Sequence, residues 1–150
     1  MMTQGYRQSV LIEINSRFQT GDDIDESEFF TVGTLSYKRS TFYLVFRAMA
    51  PENPRQKTTV ILHAPYKVTL KMLGDSQYNM VLEHNVRTKS FIQVGEYALP
   101  VHILPSWVHW EMTSAGNGQI ELAYQMESDG EILSRNTVRI KTKPNTLEEV

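Results

Sequence analysis

Through most of the chain apolar and polar residues alternate, the pattern of strands that bury one face and expose the other. Val10, Ile12 and Ile14 share one face of SVLIEIN, opposite Leu11, Glu13 and Asn15. The same reading groups Phe42, Leu44 and Phe46 in TFYLVFR, Val60 with Leu62 in TTVILH, and Val68, Leu70 and Met72 in KVTLKM. It continues with Tyr78, Met80, Leu82 and His84 in YNMVLEH, and with Tyr97, Leu99, Val101 and Ile103 in YALPVHI. Val108, Trp110 and Met112 follow in WVHWEM, then Ile120, Leu122, Tyr124 and Met126 in QIELAYQM, then Val138 and Ile140 in NTVRIKTK. FFTVGTLSY carries apolar residues on both faces, which leaves its inward side open. About ten short strands are predicted.

Turn signals separate these runs at KRS (38–40), GDS (74–76), SAGNG (114–118) and SDGE (128–131). Asp129-Gly130 between two alternating runs is the strongest hairpin signal. MAPENPRQ (49–56), with two prolines, reads as a longer loop, and GDDIDESE (21–28) as a solvated acidic loop. The pattern blurs in NVRTKSFIQVGEY (85–97), where a short strand, a bulge or a helical turn would each fit. No full-length amphipathic helix and no internal repeat is found. A chain of 150 residues is enough for one domain, with a core over roughly 9–143 and a tail at 144–150. Many short strands with one apolar face each fit a sandwich or a closed antiparallel barrel. Closure would pair the first strand with the last, removing the exposed edges and bringing Glu13 towards Arg139 or Lys141.

The order of three stretches resembles one family. FFTVGTLSYKRSTFYLVF, KTTVILHAPYKVTLKMLGD and GQIELAYQMESDGEILSRNTVRIK follow the succession of the YwiB-like family of small bacterial proteins. The positions carrying the likeness are Thr31 and Gly33, Tyr43 and Leu44, Thr58 and Thr59, and Gly74. Ile120, Leu122, Tyr124, Met126, Asn136 and Ile140 complete it, and the resemblance spans roughly 10–142. It implies an all-β fold: a single antiparallel calycin-like, lipocalin-type β-barrel of about 8–10 strands. It implies no activity.

Composition changes the picture little. Hydrophobic residues make up 41% and charged residues 21%, with a formal net charge of -2, so no overall field draws the chain to nucleic acid or to an anionic membrane. There is no cysteine, which removes disulfides and thiolate chemistry and fits a reducing compartment. MMTQGYRQSV has no long apolar core, and the longest apolar run, FYLVF, is far too short to span a bilayer. A cytoplasmic location with no membrane partner is the expectation; the oligomeric state stays open.

Candidate chemistry is sparse. His63, His84, His102 and His109 match no metal-ligand spacing, so no metal or other cofactor is expected. No nucleophile motif such as G-x-S-x-G occurs, and no catalytic residue is assigned. Arg135, Arg139, Lys141 and Lys143 form a basic stripe on the last strand but lack interleaved aromatics. Both tryptophans lie in SWVHWEM (106–112), three apart and therefore on opposite faces of a strand. Trp110 reads as core; Trp107 joins His109 and Glu111 on the polar face, with Pro105 placing them at the start of a strand near a barrel rim. The leading functional expectation is a non-enzymatic binder of a small, partly apolar ligand. Its lining would be Phe42, Phe46, Met80, His84, Tyr97, Trp110 and Tyr124, all of which also suit a core. Two alternatives stand beside it: an interaction or nucleic-acid-associated module using the basic stripe, and an enzyme with His84 or His109 as a base at the barrel mouth.

Overall fold

A computed structural model describes residues 6–47, 56–64, 66–74 and 76–146. Ten strands follow one another: β1 (Tyr6–Thr20), β2 (Asp23–Lys38), β3 (Thr41–Arg47), β4 (Lys57–Ala64), β5 (Lys67–Leu73), β6 (Ser76–Glu83), β7 (Thr88–Val94), β8 (Tyr97–Met112), β9 (Gly118–Ser128) and β10 (Glu131–Pro144). Each pairs with its chain neighbours in an antiparallel meander, and β1 pairs with β10, so the sheet closes into a barrel. There is no α-helix among the described residues. The closed up-and-down barrel fits the calycin-like expectation. The predicted loop at 49–56 lies outside the described residues apart from Gln56, as do Asp75 of the GDS turn and residues 147–150 of the tail.

The interior is built by the alternating residues named from the sequence. Val10, Ile12 and Ile14 of β1 meet Leu35, Leu44, Val60, Leu62, Val68, Met80, Leu82 and the inward residues of β8, β9 and β10 in one buried cluster. β2, ambiguous in sequence, turns Gly33 and Leu35 inward and leaves Phe30 and Val32 exposed. Closure puts Glu13 directly opposite Lys141, and Arg139 opposite Asn15. The glycine of the T-x-G strand has a packing reason. A Cβ on Gly33 would stand 2.6 Å from both Val45 O and Ile12 Cδ1, so its absence lets β3 lie close beside β2.

Turn chemistry sets the register. Asp129 and Gly130, both at positive φ, join Ser128 to Glu131 as the tight hairpin expected of Asp-Gly. Arg39 and Ser40 make the same two-residue connection between Lys38 and Thr41, also at positive φ, without a glycine. GDDIDESE is not a loop: Gly21 and Asp22 form the turn, and Asp23–Glu28 are already β2, paired against β1 with Arg17 Nε 3.6 Å from Glu26 Oε1. The acidic residues are exposed there, and ladder bonding costs a solvated strand end nothing in desolvation.

The ten strands differ from the ten runs read in the sequence at two places. YALPVHI and WVHWEM are one strand, β8, running straight through Pro100 and Pro105. The blurred segment supplies the tenth strand, β7. A bulge in β8 between Pro105 and Trp107 sends Ser106 and Trp107 both outward, so the inward set passes from Val101, Ile103 and Pro105 to Val108, Trp110 and Met112. Pro105 therefore sits mid-strand and not at a strand start. The pattern blurs near β7 because its ladder to β6 covers only Ser76–Tyr78 against Ile92–Val94. Beyond it, hydroxyls replace amides as donors: Ser90 Oγ donates to Asn79 O (2.8 Å) and Thr88 Oγ1 to Val81 O (3.0 Å).

Candidate functional site

Of the seven residues proposed as a ligand lining, Phe46, Met80 and Tyr124 are buried core side chains. Burial pushes the Tyr124 phenol well above its usual range, and the nearby Tyr78 phenol adds to the shift. Phe42 and Trp110 pack edge to face, ring centroids 5.9 Å apart. Tyr37 lies 4.7 Å from Phe42 and stacks on Tyr6 at 5.6 Å, so a chain of rings fills this end of the barrel.

The other two residues are corrections. Tyr97 is 82% exposed. Pairing of β8 with β9 begins only at His102, so Tyr97 lies in a stretch laddered to β7 alone. His84 does not continue the inward face of β6, because the strand ends at Glu83 and His84 belongs to the following turn, where alternation no longer governs direction. His84 and His109, the two candidate bases, both stand beside Trp107 in one cluster on the outer face.

That cluster comes from three places in the chain. The turn after β6 is held by two backbone bonds, His84 N to Tyr66 O (3.0 Å) and Asn85 N to Pro105 O (3.1 Å), with Asn85 at positive φ. The first ties it to the β4–β5 turn and the second to β8. The bulge at Ser106 then turns Trp107 towards both, and His109 follows on the same outer face, paired with Glu121 of β9. Trp107 is the hub: its ring centroid lies 5.8 Å from that of His84 and 5.9 Å from that of His109. Tyr66 closes the circuit at 5.9 Å from His84 and 6.5 Å from His109.

The four rings, with Glu83 and Glu121, line an open cleft of about 740 Å³. Trp107 is 46% and Tyr66 55% exposed. His84 Nδ1 is buried and has no hydrogen-bond partner among the described residues. Glu111 Oε1 lies 3.7 Å from His109 Nε2, and Arg139 Nη2 reaches Glu121 Oε2 from β10 at 3.5 Å. A second cleft of about 610 Å³ lies on the far side of Trp107 and shares Glu121 and Arg139 with the ion pair.

Trp107 and His109 were legible in sequence as an unexplained outward pair; Tyr66 and the direction of His84 were not, since both lie in turns. The basic stripe of β10 is interleaved with acids, Lys141 beside Glu13 in register and Arg139 on Glu121. No group of three or more potential metal ligands is found among the described residues. Among these residues, too, no helix is long and apolar enough to cross a membrane.

No curated protein matches the chain. Among solved structures, the crystal structure of the ywiB protein from Bacillus subtilis matches it with a TM-score of 0.81 at 16% identity, covering 93% of this chain and 94% of that one. At that identity the likeness speaks for the fold. A family model described as a domain of unknown function, DUF1934, matches residues 12–140. The chain belongs to this family, and its barrel is YwiB-like.

Proposed function

We propose that the protein is a cytoplasmic, non-enzymatic binder of a small, partly apolar ligand, and that the ligand sits on the outer wall of the barrel and not inside it. The observation that carries this reading is the ring of Tyr66, His84, Trp107 and His109 around a half-exposed indole. Its volume of about 740 Å³ falls within the range of about 300–1,000 Å³ found for small-molecule sites. The barrel supports it from below: Val108 and Leu122, between the outward residues of β8 and β9, are fully or nearly fully buried and fix the wall on which Trp107 and His109 stand. Inside the barrel Leu35, Leu44, Leu62, Leu82, Ile103 and Ile120 are fully buried, which favours the outer wall.

The two tryptophans give the test. Their indole N–H signals in a two-dimensional ¹H–¹⁵N spectrum are assigned with Trp107→Leu and then followed while a chemically mixed fragment library is added. The expected result is a set of fragments that shift the Trp107 signal and leave Trp110 unmoved. A library in which no member moves Trp107 at millimolar concentration would overturn the reading.

A further inference from the structure

We infer that the ligand of this outer cleft carries a compact organic cation, an alkylated ammonium group being the simplest example. The inference rests on the binding reading above and adds the chemistry of the ligand. Two properties of the lining select it.

The first is the arrangement of the rings. Trp107 and His109 are inclined at 35°, Tyr66 and His109 at 44°, Tyr66 and His84 at 59°, and His84 and Trp107 at 78°. None of these four neighbouring pairs is parallel, which does not suit a flat ring sliding between two faces. Four rings at different inclinations line the one cleft, which suits a rounded group better than a flat one. Indole and phenol faces are the aromatic surfaces that attract cations best, through the negative potential above the ring.

The second is the charge of the lining. Glu83 and Glu121 contribute carboxylates, and no lysine or arginine among the described residues lines the cleft. Glu111 adds a third carboxylate beside His109, and Arg139 answers one of the three, from the β10 side of Glu121. An anionic ligand would meet carboxylates and π faces of the same sign. A neutral sugar-like ligand would find no amide or guanidinium side chain among the six residues that line the cleft. A cation with apolar substituents meets rings on its methyl groups and carboxylates on its charge.

The test compares two molecules that differ in one atom. Choline and 3,3-dimethylbutan-1-ol share shape and hydroxyl, but a carbon replaces the charged nitrogen in the second. Each is titrated into the full chain while the Trp107 indole signal is followed, with acetate as an anionic control. Choline is expected to bind about tenfold more tightly than the alcohol, a factor worth about 1.4 kcal/mol. Glu121→Gln lowers choline affinity, read on the same Trp107 signal, and leaves the alcohol unchanged. Equal binding of choline and the alcohol overturns the cationic class and leaves the cleft a binder of neutral apolar groups. Silence of both molecules, or tighter binding of acetate, also overturns the class. The fragment screen decides separately whether the cleft binds anything.

Discussion

Gly33→Ala tests the packing logic of the barrel at its tightest point. Gly33 faces inward on β2, opposite Val10 of β1 and one residue beyond the Thr34–Val45 end of the β2–β3 ladder. The new methyl carbon would meet Ile12 Cδ1 and Val45 O at 2.6 Å each and Phe46 Cβ at 3.1 Å, against 3.4 Å or more for ordinary contact. The Ile12 methyl can rotate away. The Val45 carbonyl cannot, because Val45 is held in the ladder opposite Thr34. Overpacking a filled core costs about 1–3 kcal/mol. With backbone as the obstacle the upper end applies, about 3 kcal/mol. For a domain of this size that lowers Tm by about 6–12 °C, read from thermal and denaturant unfolding followed by circular dichroism. Adding Ile12→Val, which removes Cδ1 and by itself costs about 0.5–1.5 kcal/mol, should recover only part of the loss, as expected of side chains that share one clash. A Gly33→Ala protein melting within a degree of the parent would refute the close approach. Complete rescue by Ile12→Val would show that the carbonyl is no obstacle.

Three further predictions follow from buried hydroxyls and turns. Burial pushes the Tyr78 phenol up to about 12 and the Tyr124 phenol further in the same direction. A raised folded-state pKa gives stability that is complete below pH 10 and lost as pH rises through the folded value, so unfolding free energy should fall by up to about 1.4 kcal/mol per pH unit for each tyrosine above pH 10. Denaturant unfolding at pH 9 and pH 11.5 measures this, and Tyr78→Phe should flatten the slope; an unchanged slope would remove Tyr78 as its source. Ser90→Ala leaves Asn79 O without its donor where β6 and β7 have no ladder bond, at a cost of about 1–3 kcal/mol. Amide exchange should quicken in β7 before β9, and uniform protection across the two would argue against a weak seam. Replacing Arg39-Ser40 by Asn-Gly puts residues suited to positive φ into the β2–β3 turn and should stabilise the protein by about 1 kcal/mol, read as a rise in denaturation midpoint at unchanged slope.

Local alternation was enough to name the core. Val10, Ile12, Leu44, Val60, Leu62, Val68, Met80, Leu82, Val108, Ile120 and Ile140 were read from a period of two and all are buried, because in a closed barrel each strand has one face inside and one outside along most of its length. Asp129-Gly130 could be read for the same kind of reason, since the turn's demand for positive φ is met by the two residues that make it. Alternation failed wherever a residue's direction was set by something other than its own strand. Tyr97 kept the inward parity of β8 but had no β9 beside it. His84 stepped off the end of β6 into a turn held by backbone bonds to Tyr66 and Pro105. FFTVGTLSY was undecided until Val10 and Val45 closed on Gly33.

The stretch SWVHWEM shows both halves of this. Its own spacing put Trp110 inside and Trp107 with His109 outside, and the barrel keeps them there. Nothing in the stretch announced Tyr66 or His84, which lie far off in sequence and join Trp107 only because the β4–β5 turn, the β6–β7 turn and the bulge in β8 meet on one wall. Periodicity is a property of neighbours along the chain, so the sequence by itself determined which face of each strand is buried. A site made from two turns and a bulge depends on which strands lie side by side and where their pairing stops, and only the closed barrel decided that.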